Sequence, residues 1–285
     1  MAHYKPDTLQ RTILSLESDK SLGDRYLRHS YLLAPFFQGV LMEQLSPEYA
    51  EELHNTDVNP YSQFIQAVDR QDSPGSLLAW TINTINSTAN ECFAIAIDAM
   101  KSGFELRATG HQFRVASVTT QTLQTSTLAK LCYEEPASNR FNLNLLTPTA
   151  FKQQGRYAFT PDLHLLFQSL QQKYNVICEG TKEVEQEELE YIVTKLRITE
   201  YSLRSQYFNV GSNRVPGFMG RIQLAVDGPS IMQGYIWMLL RFGEYSGLGV
   251  KSAMGMGAIG CSQIQKKPLL REKEKIERVG EIETR

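Results

Sequence analysis

The chain has few cysteines and no long hydrophobic run. It contains four cysteines in 285 residues, and none of them stands in a CxxC pair. This wide spacing disfavours a zinc site and is typical of reduced, mostly buried thiols. No apolar run reaches the length of a membrane span, and the N-terminus is polar and interrupted by Pro6, unlike a signal peptide. We therefore expect a cytoplasmic protein with no membrane association, no metal and no cofactor.

The sequence also has no excess of positive charge. It carries 29 lysines and arginines against 31 aspartates and glutamates, for a net charge of -2. This balance argues against non-specific binding to polyanions. A nucleic-acid partner therefore requires the basic residues to be concentrated on one surface. Glutamates cluster between residues 179 and 190, whereas basic residues of the second half lie in stretches nearly free of acid: Lys152, Arg156, Arg204, Arg214, Arg221, Arg241 and Lys251.

Apolar patterning predicts a first domain over residues 1–130. Alternation at 9–16 predicts a strand, and helical spacing at 31–45 predicts a helix. Ser46 followed by Pro47 has the pattern of a helix N-cap with proline in the first turn, which predicts a short helix ending at His54. Three further runs are expected to be rich in strand: 77–83, 91–97 and 104–119.

A second domain is expected over residues 137–264, after a polar stretch at 120–139 that predicts the domain junction. Its predicted elements are a strand at 141–146, an amphipathic helix at 162–174, two or three strands within 191–226 and a buried helix at 230–242.

Both halves therefore have the order strand, helix, strands, helix, strand. This order predicts an α+β protein made of two tandem ferredoxin-like domains. Residues 265–285 form a charged tail, which we expect to be a solvated helix or disordered, with no function assigned.

A glycine-rich segment follows the last predicted helix. It runs Gly-Leu-Gly-Val-Lys-Ser-Ala-Met-Gly-Met-Gly, with glycines at 247, 249, 255 and 257 and with Lys251 and Ser252 between the pairs. Glycines permit positive φ and close approach of another backbone, and successive amides can converge on one anion beside the lysine charge. A helix precedes the segment and a strand follows it, the reverse of a dinucleotide-binding fingerprint, and no Walker Gly-Lys-Ser/Thr occurs. These features favour a loop that binds a phosphodiester chain.

The order helix, GxGxxxxxGxG, strand near the C-terminus resembles the signature of the CRISPR-associated repeat-RNA endoribonucleases. These enzymes belong to the repeat-associated protein superfamily, built from two ferredoxin-like domains. Further similarity lies upstream, and most of residues 9–264 is covered. The similar segments are residues 146–152, Arg156-Tyr157, 167–170 and 217–221, with fainter similarity at 46–54 and 59–61.

The resemblance implies an activity and a partner. The partner is CRISPR repeat RNA, expected to be a hairpin, and other subunits of a CRISPR effector complex are further expected partners. The RNA 2′-hydroxyl attacks the adjacent phosphate without a metal ion, which leaves a 2′,3′-cyclic phosphate and a 5′-hydroxyl. A base, an acid and a cation assist this step. The precursor transcript is thereby cut into guide RNAs.

The resemblance also indicates where catalytic residues lie. The family often has a histidine in the first helix, and Gln38 stands at that position in this chain. Glutamine cannot exchange protons near neutral pH, so His29, with Tyr31 beside it, is the alternative candidate. His29 is also compatible with an exposed loop histidine, and its neighbour Arg28 with either a phosphate contact or a solvated charge. His54, by contrast, is expected to cap its helix or to lie at the surface.

The remaining candidate residues are expected to bind the RNA and not to take part in its cleavage. Lys152 and Arg156 are placed to contact a hairpin stem, and Arg214 and Arg221 bracket Pro216-Gly217; all four are equally compatible with surface cations or ion pairs. The complete set of predicted RNA-binding residues is Arg28, Lys152, Arg156, Arg214, Arg221, Gly247, Gly249, Lys251, Ser252, Gly255 and Gly257.

Two alternatives to a nuclease follow from the same residues. The absence of histidine at position 38 is compatible with a non-catalytic RNA-binding subunit of a CRISPR surveillance complex. The mildly acidic composition is compatible with a two-domain scaffold unrelated to RNA.

Overall fold

The structure is a computed structural model, and it describes residues 8–265 with the exception of 69–76, 135, 137 and 179. The predicted charged tail lies outside the described residues apart from its first position. Among the helices in the described ranges, none is long and apolar enough to cross a membrane.

The first half of the chain forms a five-stranded antiparallel sheet. Its strands are β1 (Thr8–Ser18), β2 (Tyr61–Val68), β3 (Leu77–Thr84), β4 (Phe104–Leu106) and β5 (His111–Gln124). Their spatial order is β2-β3-β1-β5-β4, with β1 paired to β3 on one side and to β5 on the other. Leaving aside the short edge strand β4, this is the strand order of a ferredoxin-like fold. Strand β2 was not predicted from the sequence.

Helices lie in the connections between the strands of this sheet. They are α1 (Gly23–Arg28), a 3-10 turn (Ser30–Leu33), α2 (Ala34–Glu43), α3 (Pro47–Asn55) and α4 (Ser87–Ala99). The helix predicted at 31–45 is therefore divided, because a 3-10 turn precedes α2 and Pro35 lies in the first turn of α2. The side chain of Phe37 is fully buried against Trp80, with the ring centroids 5.0 Å apart.

The strand predicted at 91–97 is wrong, since these residues belong to α4. The Asn86 side chain caps this helix by accepting a hydrogen bond from the Ala89 amide at 2.8 Å. Ala89, Phe93, Ala96 and Ile97 are buried, which is the spacing of one helical face. The apolar run at 91–97 is too short for its hydrophobic period to distinguish a buried helix from a buried strand.

The N-terminus of α3 is where the sequence predicts it. Ser46 has extended backbone angles, and its hydroxyl accepts a hydrogen bond from the Tyr49 amide at 3.3 Å. Pro47 occupies the first helical position, where its missing amide hydrogen is not needed. The cap therefore determines where α3 begins.

Replacement of Ser46 by alanine should lower the free energy of unfolding by about 1 kcal/mol, because the Tyr49 amide loses its acceptor. Urea denaturation measures this difference. Ser102→Ala at an exposed turn is the control and should leave stability nearly unchanged. Equal stability of both variants would show that the Ser46 hydrogen bond contributes nothing.

The second half forms a four-stranded antiparallel sheet and a small hairpin. Its strands are β6 (Arg140–Thr149), β7 (Phe151–Gln153), β8 (Arg156–Ala158), β9 (Leu196–Val210), β10 (Asn213–Val226) and β11 (Ile259–Gln263). The sheet has the order β11-β6-β10-β9, and β7 pairs only with β8 among the described strands. This order again matches a ferredoxin-like fold, so the predicted fold class is confirmed.

The helices of the second half are α5 (Thr125–Lys130), α6 (Leu163–Cys178), α7 (Gln186–Thr194) and α8 (Ser230–Ser246). The strand expected from residue 191 is wrong at its start, because Leu189 and Ile192 are buried three residues apart on α7. The polar stretch at 120–139 contains the end of β5 and all of α5. The domain limits drawn from the sequence stay a prediction.

Candidate functional site

A cleft of about 760 Å³ lies where the two halves of the chain meet. The first half contributes α2, α3 and the start of β2, and the second half contributes β7, α6 and the glycine-rich segment, residues 247–257, which we call the glycine loop. The polar and charged side chains that line the cleft include those of Gln38, His54, Asp57, Lys152, Gln168, Ser169, Lys173, Lys251 and Ser252. Both halves are therefore needed to form the site.

Hydrogen bonds hold the glycine loop against β6 and α6. The Leu248 amide donates to Gly257 O at 2.8 Å, which closes the loop on itself. The Gly249 amide donates to the Ser169 hydroxyl at 2.9 Å, and the Val250 amide donates to Ala150 O at 2.9 Å. These contacts fix the loop to the second half of the chain.

The glycines are required mainly by close backbone packing. Gly249 has a φ of +73°, and a Cβ there would lie 2.2 Å from Ala150 O. Gly255 packs against the first half, since a Cβ would lie 2.3 Å from Ala34 Cβ. Most loop amides therefore donate within the protein, and those of Lys251, Ser252 and Ala253 have no acceptor in the described part of the chain.

Lysines give the cleft its positive charge. Lys152 enters from β7, and Lys251 lies in the glycine loop with a left-handed backbone, φ +58°. Lys173 enters from α6. Asp57 also lines the cleft, but its carboxylate pairs with Lys182, and this hydrogen bond lowers the pKa of Asp57. The cleft can therefore attract an anionic chain although the whole protein is slightly acidic.

Gln38 is held in the cleft by a buried tyrosine. Its Nε2 donates to the Tyr61 hydroxyl at 3.3 Å. Burial raises the pKa of Tyr61 to about 12, so the phenol stays protonated at neutral pH. Neither side chain can take up a proton near pH 7, and His54 is the one histidine among the residues that line the cleft.

Three comparisons relate this chain to known proteins. A family model described as CRISPR-associated endoribonuclease Cas6 matches residues 143–259. The Cas6 endoribonuclease of Mycobacterium tuberculosis is 40% identical over 252 residues, which cover 88% of this chain and 77% of that protein. The one from Streptococcus thermophilus is 34% identical over 229 residues, which cover 80% of this chain and 90% of that protein.

The chain belongs to the Cas6 endoribonuclease family. This confirms the family resemblance drawn from the glycine motif. Solved Cas6 structures share the fold at lower identity. Cas6 of Thermus thermophilus superposes with a TM-score of 0.64 at 22% identity and covers 90% of this chain and 99% of its own. A Cas6 product complex gives 0.68 at 23% identity with the same coverage.

The structure separates the predicted catalytic residues of this Cas6 chain. Gln38 lines the cleft, but His29 and Tyr31 are not among the residues that line it. The His29 ring stands edge-on to Tyr31 with centroids 5.7 Å apart, and its Nδ1 is buried without a hydrogen-bond partner among the residues that the structure describes. The Tyr31 hydroxyl donates to Gln206 on β9 at 3.1 Å, and burial raises the pKa of this phenol. Their assigned roles stay predictions.

The predicted RNA-binding residues are likewise divided. Lys152, Gly249, Lys251 and Ser252 line the cleft, whereas Gly247, Gly255 and Gly257 shape the loop behind it. Three arginines have partners within the protein: Arg28 pairs with Asp24, Arg214 stacks over the Tyr207 ring at 4.2 Å, and Arg221 pairs with Glu200 at 2.7 Å. Arg156 is exposed beside the turn of the β7–β8 hairpin.

Two cleft residues that bear on the function, His54 and Lys173, were not among the site residues predicted from the sequence. His54 was expected to cap α3 or to lie at the surface; it is exposed, and the structure places it among the residues that line the cleft. Lys173 carried a clearer signal, because it is the only Asp, Glu, Lys or Arg in the sequence of α6. A lysine is rarely buried in a protein unless its ammonium has a defined partner.

Proposed function

We propose that this chain binds CRISPR repeat RNA in the cleft and cuts precursor transcripts into guide RNAs without a metal ion. The products are a 2′,3′-cyclic phosphate and a 5′-hydroxyl. The observation that carries the proposal is the cleft itself, which brings His54, Lys152 and Lys251 together beside the glycine loop of a Cas6 family member. Solved relatives with the same fold include Cas6 product and substrate mimic complexes.

The chemistry needs no nucleophile from the protein. The 2′-hydroxyl of the RNA attacks the adjacent phosphorus, and the 5′-oxygen of the next nucleotide leaves. A base takes the hydroxyl proton, an acid protonates the leaving oxygen, and cations stabilise the charge on the phosphate. Lys152 on β7 and Lys251 in the glycine loop can supply the positive charge in the cleft.

His54 is the residue we assign to proton transfer. Histidine exchanges protons near neutral pH, and the His54 side chain is exposed at the cleft. Gln38 can hydrogen-bond to the phosphate but cannot transfer a proton. This assignment takes a histidine of α3 in place of His29, the histidine candidate drawn from the sequence.

The RNA hairpin is proposed to extend from the cleft along the β7–β8 hairpin. Lys152 and Arg156 flank its turn, and the Tyr157 side chain, in the middle of β8, is exposed. Phosphate and 2′-hydroxyl contacts from such residues suit an A-form stem, which proteins recognise mainly by shape. The cut RNA is then passed to further subunits of a CRISPR effector complex.

The experiment is incubation of the purified protein with its own repeat RNA in EDTA. We expect one cut, with a cyclic phosphate on the upstream fragment and a 5′-hydroxyl on the downstream fragment. A deoxyribose substitution at the nucleotide before the cut should block cleavage and leave binding intact, because it removes the nucleophile. Cleavage that needs added Mg²⁺, or that tolerates the deoxyribose, would contradict the mechanism.

A non-catalytic RNA-binding subunit is the second candidate, and Gln38 is the observation that favours it. The cleft and glycine loop can bind RNA without any proton transfer. Tight binding of the repeat without cleavage would support this candidate. In that case Gln38→His, which introduces an imidazole at the position where the family often has one, should produce measurable cleavage.

A further inference from the structure

The C-terminus of α8 leads directly into the glycine loop, and its carbonyl groups are all accounted for. The last carbonyls of a helix have no partner within the helix. Gly243 O accepts from the Gly247 amide, Glu244 O accepts from Arg11 Nη2 at 2.6 Å, and Tyr245 O accepts from the Ser62 hydroxyl at 2.6 Å. Side chains of the first half thus cap this end of the helix.

Lys173 completes the cap from the other side. Its Nζ donates to Ser246 O at 3.1 Å, to Gly247 O at 2.9 Å and to the Ser252 hydroxyl at 3.2 Å. An ammonium group has three donors, so these contacts use its full capacity. One side chain therefore joins the end of α8, the first glycine of the loop and the 3-10 turn that follows Lys251.

The Lys173 ammonium has no carboxylate partner among the described residues, and carbonyl oxygens at a helix C-terminus stabilise it instead. The Lys173 side chain is only partly exposed at the cleft. Burial lowers the pKa of Lys173 to about 7. A lysine whose three donors bond to the end of α8 and to two residues of the loop is suited to fix the geometry of the loop.

We propose that Lys173 is a positioning residue for RNA binding: its ammonium ties the end of α8 to the glycine loop and holds Lys251 and Ser252 at the wall of the cleft. This inference rests on the proposed RNA-binding function. Lys173 acts through the loop and does not itself contact the phosphate, since its three donors are already engaged.

The test compares Lys173→Met with Lys101→Met. Methionine has a similar length and no donor, and Lys101 is an exposed lysine paired with Asp98 on the outer surface of the first half. We expect the Kd for labelled repeat RNA to rise on the order of tenfold in Lys173→Met and to change less than about twofold in Lys101→Met. The single-turnover cleavage rate at saturating protein should also fall in Lys173→Met, because the loop that Lys173 holds carries Lys251, which is proposed to stabilise the charge on the phosphate.

Two further measurements separate positioning from other roles. In the RNA-free protein, amide hydrogen exchange of residues 246–257 should be faster in Lys173→Met, while the sheets keep their protection. In a protein that already carries Lys251→Met, adding Lys173→Met should raise the Kd by less than it does in the unchanged protein, because Lys173 acts through the loop that holds Lys251. An equal rise in Kd in both proteins would show that Lys173 acts independently of Lys251 and would overturn the proposal.

The proposal would also be overturned if Lys173→Met had the same loop exchange rates or the same RNA affinity as the unchanged protein, provided that the unchanged protein binds the RNA. Failure of the unchanged protein to bind repeat RNA would instead contradict the proposed function, and with it the RNA-binding part of this inference. If Lys173→Met does not fold, Lys173→Gln, which keeps a donor but removes the charge, should show the same faster loop exchange and weaker binding. Wild-type values of both in Lys173→Gln would then overturn the proposal.

Discussion

Replacement of His54 by alanine should lower the rate of repeat RNA cleavage by at least about a hundredfold, because general acid–base catalysis contributes roughly 10²–10⁴-fold. His54 is the one histidine among the residues lining the cleft, and the neighbouring polar groups there, Gln38 and protonated Tyr61, cannot take up a proton near pH 7. RNA affinity should be almost unaffected, since His54 is exposed and makes no described contact that shapes the glycine loop. Single-turnover cleavage and filter binding measure the two quantities separately.

The matched variant is His29→Ala. His29 lies beside Tyr31, away from the residues that line the cleft, and its loss should change the cleavage rate by less than about threefold. The opposite pattern, with cleavage lost in His29→Ala and retained in His54→Ala, would restore the sequence-based candidate. Retention of cleavage in both variants would remove histidine from the mechanism.

Replacement of Gly257 by alanine should lower the free energy of unfolding by about 4 kcal/mol or more. Gly257 has a φ of +67°, which non-glycine residues rarely adopt, and an added Cβ would lie 1.8 Å from Leu248 O. That carbonyl belongs to the same loop, whose Leu248 amide already donates to Gly257 O at 2.8 Å. The backbone cannot move apart without breaking this hydrogen bond, so the strain and the lost contact add together. Chemical denaturation of the RNA-free protein measures the loss.

Gly39→Ala is the control for the effect of the substitution itself. Gly39 is exposed in the middle of α2, and nothing lies within 4 Å of the Cβ that would be added. Alanine there should raise the free energy of unfolding by roughly 0.5 kcal/mol, because it lowers the conformational entropy of the unfolded chain. A Gly257→Ala variant as stable as Gly39→Ala would contradict the described loop geometry.

The fold class could be predicted because its signals are local. Alternation in β1, the amphipathic pattern of α6 and the Ser46 cap each depend on neighbouring residues only, and the structure agrees with all three. The exceptions are short apolar segments such as 91–97, where a buried helix and a buried strand have the same composition. The hydrophobic period and the capping residues can assign such a segment to a helix or a strand only when the pattern extends over the length of a helix.

The glycine loop has contacts that the neighbouring sequence does not predict. Its spacing identified the family, but the sequence suggested amides that converge on an anion, whereas most of them bond to β6, α6 or the loop itself. Glycine is required at position 255 because a Cβ there would clash with Ala34, which stands more than two hundred residues earlier in the chain. Such a requirement follows from packing between the halves and has no signature in the neighbouring sequence.

The sequence by itself determined the two ferredoxin-like halves and the family, because periodicity, caps and motif spacing are properties of contiguous residues. Only the tertiary structure decided which side chains share the cleft. It placed Gln38, His54, Lys173 and Lys251 together and left His29 and Arg221 elsewhere. The physical reason is that the cleft forms where the two halves pack against each other, and that packing includes contacts between residues far apart in the chain, such as Arg11 with the end of α8.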